Sequence, residues 1–159
     1  MNDHSGSAER PVTDSVYYEI LTSSGTVLIT RVSQARPGDM QALYLAGDWW
    51  QDEWDDRYLS ALVKMSFAFV AATAPDGSWI GMGRLISDGV SDAYLQDIVV
   101  LPSWEGNGIG SAIVRSLLAI CKEHGITWIG TIGGPQTEYF YRKFGFSRMC
   151  GYIPMRYER

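Results

Sequence analysis

The run Glu105-Gly106-Asn107-Gly108-Ile109-Gly110-Ser111 places three glycines at alternate positions, just after a β-branched stretch that stops at Pro102 and just before an apolar pattern of helical period. A helix N-terminus leaves backbone N–H groups without partners and carries about half a positive charge, so a glycine-rich approach to one makes an anion site without any cationic side chain. Glycine accepts positive φ and lets phosphate oxygens come up against the backbone, and Ser111 adds a hydroxyl donor. Spacing narrows the kind of anion. A P-loop needs Gly-Lys before its Ser or Thr, whereas Ser111 follows Gly110 with no lysine. A dinucleotide fingerprint opening on Gly106 and Gly108 needs glycine at 111, and too little chain remains for a doubly wound domain. A ligand-free strand-to-helix turn is the competing reading.

Two other groups could do chemistry. Trp49-Trp50-Gln51-Asp52-Glu53-Trp54-Asp55-Asp56 combines aromatic faces with carboxylates, which together suit a protonated amine. The alternative is that the tryptophans pack under a helix and the acids form a solvated turn. Asp97 follows Gln96 in the strand ahead of the glycine loop; alternation sends the two to opposite faces unless a bulge re-aims one. Asp97 is a candidate base or a structural carboxylate paired with Arg84. His4 in the first residues and His124 at a helix end give no metal-binding spacing, and no metal is expected.

The elements that must position these residues follow from periodicity and turn chemistry. After a polar stretch over Met1 to Ser15, expected to be a mobile tail, Tyr17 to Leu21 and Val27 to Val32 read as a hairpin-like strand pair. Met40, Leu43, Tyr44 and Gly47 recur at helical spacing, and Tyr58, Leu62 and Met65 share one face of a second helix. Phe67 to Ala74 and Trp79 to Ser87 are strands joined by Pro75-Asp76-Gly77-Ser78, and Ala93 to Leu101 is the strand before the loop. A helix over Gly108 to His124, a buried strand over Ile126 to Ile132 and a short helix over Thr137 to Phe144 follow. Phe146 to Tyr157 reads as strand, turn at Gly151, strand. The order predicts one mixed α/β domain over 16–159, with helices on both faces of the sheet.

Composition bounds the partners. The chain has 159 residues, is 46% hydrophobic and carries a formal net charge of -5, which suits a single core and argues against a nucleic-acid face. The longest strongly apolar stretch, Phe67 to Ala72, is far short of the roughly 20 residues needed to span a bilayer, so no membrane partner is expected. With no visible secretory signal, cytoplasmic residence is expected, and Cys121 and Cys150 are expected to be buried free thiols.

From Val27 onward the sequence resembles the GNAT superfamily of N-acetyltransferases. Val100-Leu101-Pro102 leading to Glu105, Gly108 and Gly110 is similar to the family's coenzyme A loop, and Tyr141-Arg142-Lys143-Phe144-Gly145-Phe146 to its late Tyr-x-x-x-Gly-Phe helix end. Glu105 stands where Gln or Arg is usual, and Gly134-Pro135 where many relatives carry asparagine. The resemblance implies a mostly antiparallel sheet with a splayed central strand pair, and acetyl-CoA as co-substrate. It implies that Ile98, Val99 and Val100 bind the pantetheine arm through their backbone, and that Glu105, Gly106, Asn107, Gly108, Ile109, Gly110 and Ser111 cradle the pyrophosphate. The Ile98 N–H would stabilise the oxyanion and Tyr141 would protonate the departing sulfur close to the cofactor.

Relatives often carry a base at positions equivalent to Tyr94 or Gln96; neither residue titrates near neutrality, which leaves Asp97 or water held by Gln96 and Tyr94. Trp50, Trp54 and Tyr94 are the expected acceptor contacts. The implied activity is acetyl transfer to a primary amine, of a small molecule first and of protein lysines or N-termini second. A catalytically idle acyl-CoA-binding regulatory module is the alternative of a different class, and a homodimer stays open.

Overall fold

The computed structural model describes residues 15–158; the tail expected over Met1 to Ser15 lies, but for its last residue, outside them. Six strands form one sheet in chain order: β1 (Val16–Thr22), β2 (Gly25–Arg31), β3 (Ala68–Thr73), β4 (Trp79–Ser87), β5 (Asp92–Val100) and β6 (Trp128–Thr131). The first five pair antiparallel, and β6 joins β5 in parallel because the helix α3 (Ile109–Glu123) carries the chain back across the sheet. The helices α1 (Pro37–Ala46) and α2 (Asp56–Met65) cover one face and α3 the other, each with its own buried cluster. The layering matches the sequence-based expectation. No helix among the described residues is long and apolar enough to cross a membrane.

Local sequence explains most boundaries. Asp55 caps α2 by accepting the Tyr58 N–H at 2.8 Å, and Gly125 at φ 71 follows the end of α3. The face that α2 buries is Leu59 and Val63; Tyr58 and Met65, expected on the inner face, are 42% and 81% exposed. A stripe one residue away from the predicted one wins because Leu59 and Val63 close over Met40, Leu43 and Phe69 in the same cluster.

The chain's end differs from the expectation. Residues 146–157 contain no strand; Tyr152 donates to Met149 O in a turn around Gly151, and Pro154 has no N–H to give to a ladder. A strand is a property of a pair, and strand-like composition without a paired edge does not make one. Of the two cysteines, both free, Cys121 is buried as expected and Cys150 is exposed because it sits in this unpaired stretch.

Candidate active site

The strand β5 is built in two halves that meet at a bulge. Its first half, Asp92 to Leu95, pairs with Trp128 to Thr131 of β6. Beyond Leu95 the two strands part, and on that side β5 has no strand neighbour among the described residues. On the other side the β4 register slips: Met82 faces Val99 but Arg84 faces Gln96, so Asp97 and Ile98 together oppose the single residue Gly83. Asp97 takes φ 55, the left-handed conformation that Asp and Asn tolerate better than most residues. Gly83 makes the bulge sterically feasible, since a Cβ there would lie 2.5 Å from Ile98 Cδ1 and 2.8 Å from Ile113 Cγ2.

The bulge turns Asp97 onto the same side as Gln96, against strict alternation. Its Oδ2 accepts from Arg84 Nε at 2.6 Å and from the buried Tyr44 hydroxyl at 2.7 Å, while the Arg84 guanidinium donates to Gln96 Oε1 at 3.1 Å. Burial first, then the Asp97 charge, pushes the Tyr44 phenol far above its ordinary value, so it remains a donor. Because arginine only donates, the Gln96 carbonyl is the end it holds, which leaves the Gln96 amide N–H groups for the cleft. The paired carboxylate considered for Asp97 is the arrangement found. The sequence presents Tyr44 as a helix-face residue; a phenol at a buried position, needing an acceptor, is the signal that marks it.

An open cleft of about 240 Å³ lies beside this network, lined by Trp49, Tyr94, Leu95, Gln96, Asp97 and Ile132. Tyr94, one of the expected acceptor contacts, is among the residues lining this cleft. Trp50 and Trp54 are not in this lining: their rings stand 5.7 Å apart edge to face, Trp54 packs on Tyr44 and Tyr58, and both lean on the core under α1 and α2. Trp49 lines the cleft in their place. Helical phase could not separate adjacent tryptophans in a segment that leaves the helix at Asp48, which has φ 59. The neighbouring acids belong to a turn, with Asp55 holding the α2 N-terminus and Arg57.

At the far end of the parted strands, Gly106 and Gly108 take φ 80 and 78, and Gly108 caps α3 with its carbonyl accepting the Ala112 N–H. No side chain caps this helix, and a Cβ at either glycine would meet nothing within 4 Å, so the backbone faces open space. Ile109 is buried and Gly110 lies against Phe140 and Val100, which leaves their N–H groups and that of Ser111 as the helix's contribution. Asn107 is turned inward on the loop, its amide donating to Trp104 O and Glu105 O, and Glu105 is exposed. Such a cradle fits a pyrophosphate bound by backbone donors. Tyr141 is half-buried against Phe140 and Phe146, near Thr131 at the end of β6; burial raises its phenol above the ordinary value. Among the described residues no group of three or more His, Cys, Asp or Glu side chains is gathered as for a metal.

The Acetyltransferase (GNAT) family model matches residues 32–146. Among curated proteins, the rice (Oryza sativa subsp. japonica) protein named serotonin N-acetyltransferase 2, chloroplastic, is 34% identical over 77 residues, 48% of this chain and 38% of the rice protein. A soybean (Glycine max) protein named histone acetyltransferase TAP1 is 34% identical over 67 residues, 42% of this chain and 29% of that protein. The chain thus spans well under half the length of the curated relatives it matches. A GNAT family acetyltransferase from Streptococcus pneumoniae TIGR4 superposes with a TM-score of 0.69 at 26% identity, covering 84% of this chain and 98% of that one. AAC(6')-Iy, solved with a bisubstrate analogue containing CoA, shares the fold at a TM-score of 0.62 and 18% identity, over 84% of this chain and 99% of that one. With the family pattern matched from Val32 through Phe146 and the parted strands, glycine cradle and late tyrosine in one place, the chain belongs to the GNAT acetyltransferase family.

Proposed function

We propose that the protein transfers an acetyl group from acetyl-CoA to the primary amine of a small molecule, within a complex of both substrates. The observation that carries this reading is the gap where β5 leaves β6 after Leu95, which has the α3 N-terminal cradle at one end and the Trp49–Tyr94–Gln96 cleft at the other. A thioester lying along the freed edge of β5 would add to the sheet as a strand does, held by backbone groups of Ile98 to Val100. Acetyl-CoA supplies an activated acyl group; the chain supplies placement and charge stabilisation. The Ile98 N–H, aimed by the bulge, donates to the carbonyl oxygen as it gains charge when the amine nitrogen bonds to the carbonyl carbon. The carbon–sulfur bond breaks, and the Tyr141 phenol, kept protonated by burial, gives its proton to the leaving thiolate. The Asp97 oxygen shared by Arg84 and Tyr44 is already committed, so the proton lost by the amine goes to water in the cleft.

Two other readings keep a specific observation each. Glu105, a carboxylate at the mouth of an anion cradle, favours a weakly binding regulatory module, and the soybean relative's name favours a protein acceptor. Titrating acetyl-CoA by calorimetry and then following thiol release with small amines and lysine peptides separates them. Turnover of a small amine is the expected result. Binding without turnover supports the module, turnover of peptides alone supports the protein acceptor, and no binding refutes all three.

A further inference from the structure

Continuing the cleft away from the bulge, the outer face of the β5–β6 pair carries Tyr94 opposite Gly130, with Trp128 two residues earlier on the same face. The two rings lie 5.3 Å apart and tilted by 57°, and they occupy the space that any side chain at 130 would fill: a Cβ there would sit 2.9 Å from Trp128 and 3.2 Å from Tyr94. Both rings are about two-fifths exposed, so they pack on the sheet and still present a face to solvent. Trp49 and Ile132 extend this apolar surface to Gln96, whose Oε1 Arg84 holds. The charges point the same way. Of the residues lining the cleft only Asp97 is acidic, and Arg84 and Tyr44 hold its Oδ2; Asp92, opposite Trp128 in the β5–β6 register, lies exposed at the end of the strand away from the bulge.

We infer that the acceptor is an amine attached through a short spacer to a flat aromatic body, which lies on the Tyr94–Trp128 ring pair while its nitrogen reaches the bulge at Asp97–Ile98. This inference rests on the acetyl-transfer reading. The three residue steps from Tyr94 to Asp97 span roughly 10 Å of strand, a reach suited to a ring plus a short chain. An aromatic face gains by offset or edge contact with both rings, whereas the one carboxylate a polyamine meets between them and the bulge, Asp97, already shares its Oδ2 with Arg84 and Tyr44.

The test is equilibrium binding of 2-phenylethylamine and of 1,5-diaminopentane to the full chain saturated with coenzyme A, for the wild type, Trp128→Leu and Tyr94→Leu. The aryl amine is expected to bind at least about tenfold more tightly than the diamine. Either substitution should weaken it about three- to tenfold and the diamine by less, with coenzyme A affinity unchanged. Both positions are partly exposed, so the folded protein should survive, and the coenzyme A titration reports that it has. Equal or tighter binding of the diamine, no binding of the aryl amine, or an aryl affinity indifferent to both substitutions would overturn the inference. The same samples with acetyl-CoA test the underlying reading separately: aryl amine bound through Trp128 and Tyr94 without thiol release keeps the platform and removes the acetyl transfer.

Discussion

Asp97 offers the sharpest test, because one side chain holds a strained backbone, a buried phenol and a buried guanidinium at once. In Asp97→Asn the left-handed φ of 55 remains acceptable and the amide oxygen can still accept from Tyr44, but Arg84, only 14% exposed, loses its carboxylate. Losing the charge-assisted bond should cost about 2 kcal/mol. In Asp97→Ala the buried Tyr44 hydroxyl also loses its acceptor, about 1–3 kcal/mol, and a Cβ-bearing residue without a side-chain hydrogen bond is left at positive φ, about 1 kcal/mol more. Alanine should therefore be worse than asparagine by about 2–4 kcal/mol, and Asp97→Gly should recover up to about 1 kcal/mol of the alanine loss. Urea unfolding, at about 1–3 kcal/mol per molar for a domain of this kind, resolves these differences as separate midpoints. Catalysis distinguishes a strut from a base: a strut predicts that Asp97→Asn keeps kcat/KM within about tenfold with its acid limb in place, whereas loss of a base costs about 10²–10⁴ and removes that limb. Equal destabilisation by Asn and Ala would refute the structural reasoning. An Asp97→Asn protein as stable as the wild type and inactive would make Asp97 the base.

Tyr141→Phe should lower kcat about 10²-fold or more while acetyl-CoA affinity stays put, and an unchanged rate would remove it from the acid role. Because burial holds its phenol above the ordinary value near 10, proton loss from Tyr141 should not limit kcat below about pH 10; a fall near pH 8 that disappears in Tyr141→Phe would contradict this. Glu105→Gln should tighten acetyl-CoA binding only a few-fold at low salt, since the side chain is exposed, with the gain gone at about 1 M salt; a salt-independent gain would mean the carboxylate points into the cradle. Gly83→Ala should destabilise by about 1–3 kcal/mol and reduce kcat more than cofactor affinity, because the added methyl must push Ile98 and so re-aim its N–H; wild-type kcat would separate the bulge from the chemistry.

The sequence by itself determined what is local. Three glycines at the start of a helix, with no capping side chain and no lysine, leave its backbone N-terminus open, and the positive φ at Gly106 and Gly108 is what glycine permits there. Element order as far as the short helix after β6, and the two covered faces, were equally legible, because helical and strand periods are written in consecutive residues. The tertiary structure decided what depends on pairing and on which neighbour fills which space. The bulge at Asp97 exists because β4 offers Gly83 opposite Ile98, and the carboxylate's allegiance is set by Tyr44 from a helix 53 residues earlier in the chain. Adjacent tryptophans divided their roles, Trp49 in the cleft and Trp50 packed against the core, by where the backbone turned after α1. Trp128, inside a strand that reads as buried, became part of an exposed ring pair because β6 lies beyond β5 and Gly130 leaves room beside it. The stretch 146–157, read as strand, turn and strand, failed to become strands for the complementary reason: composition can suggest a strand, but the hydrogen bonds that make one belong to its partner.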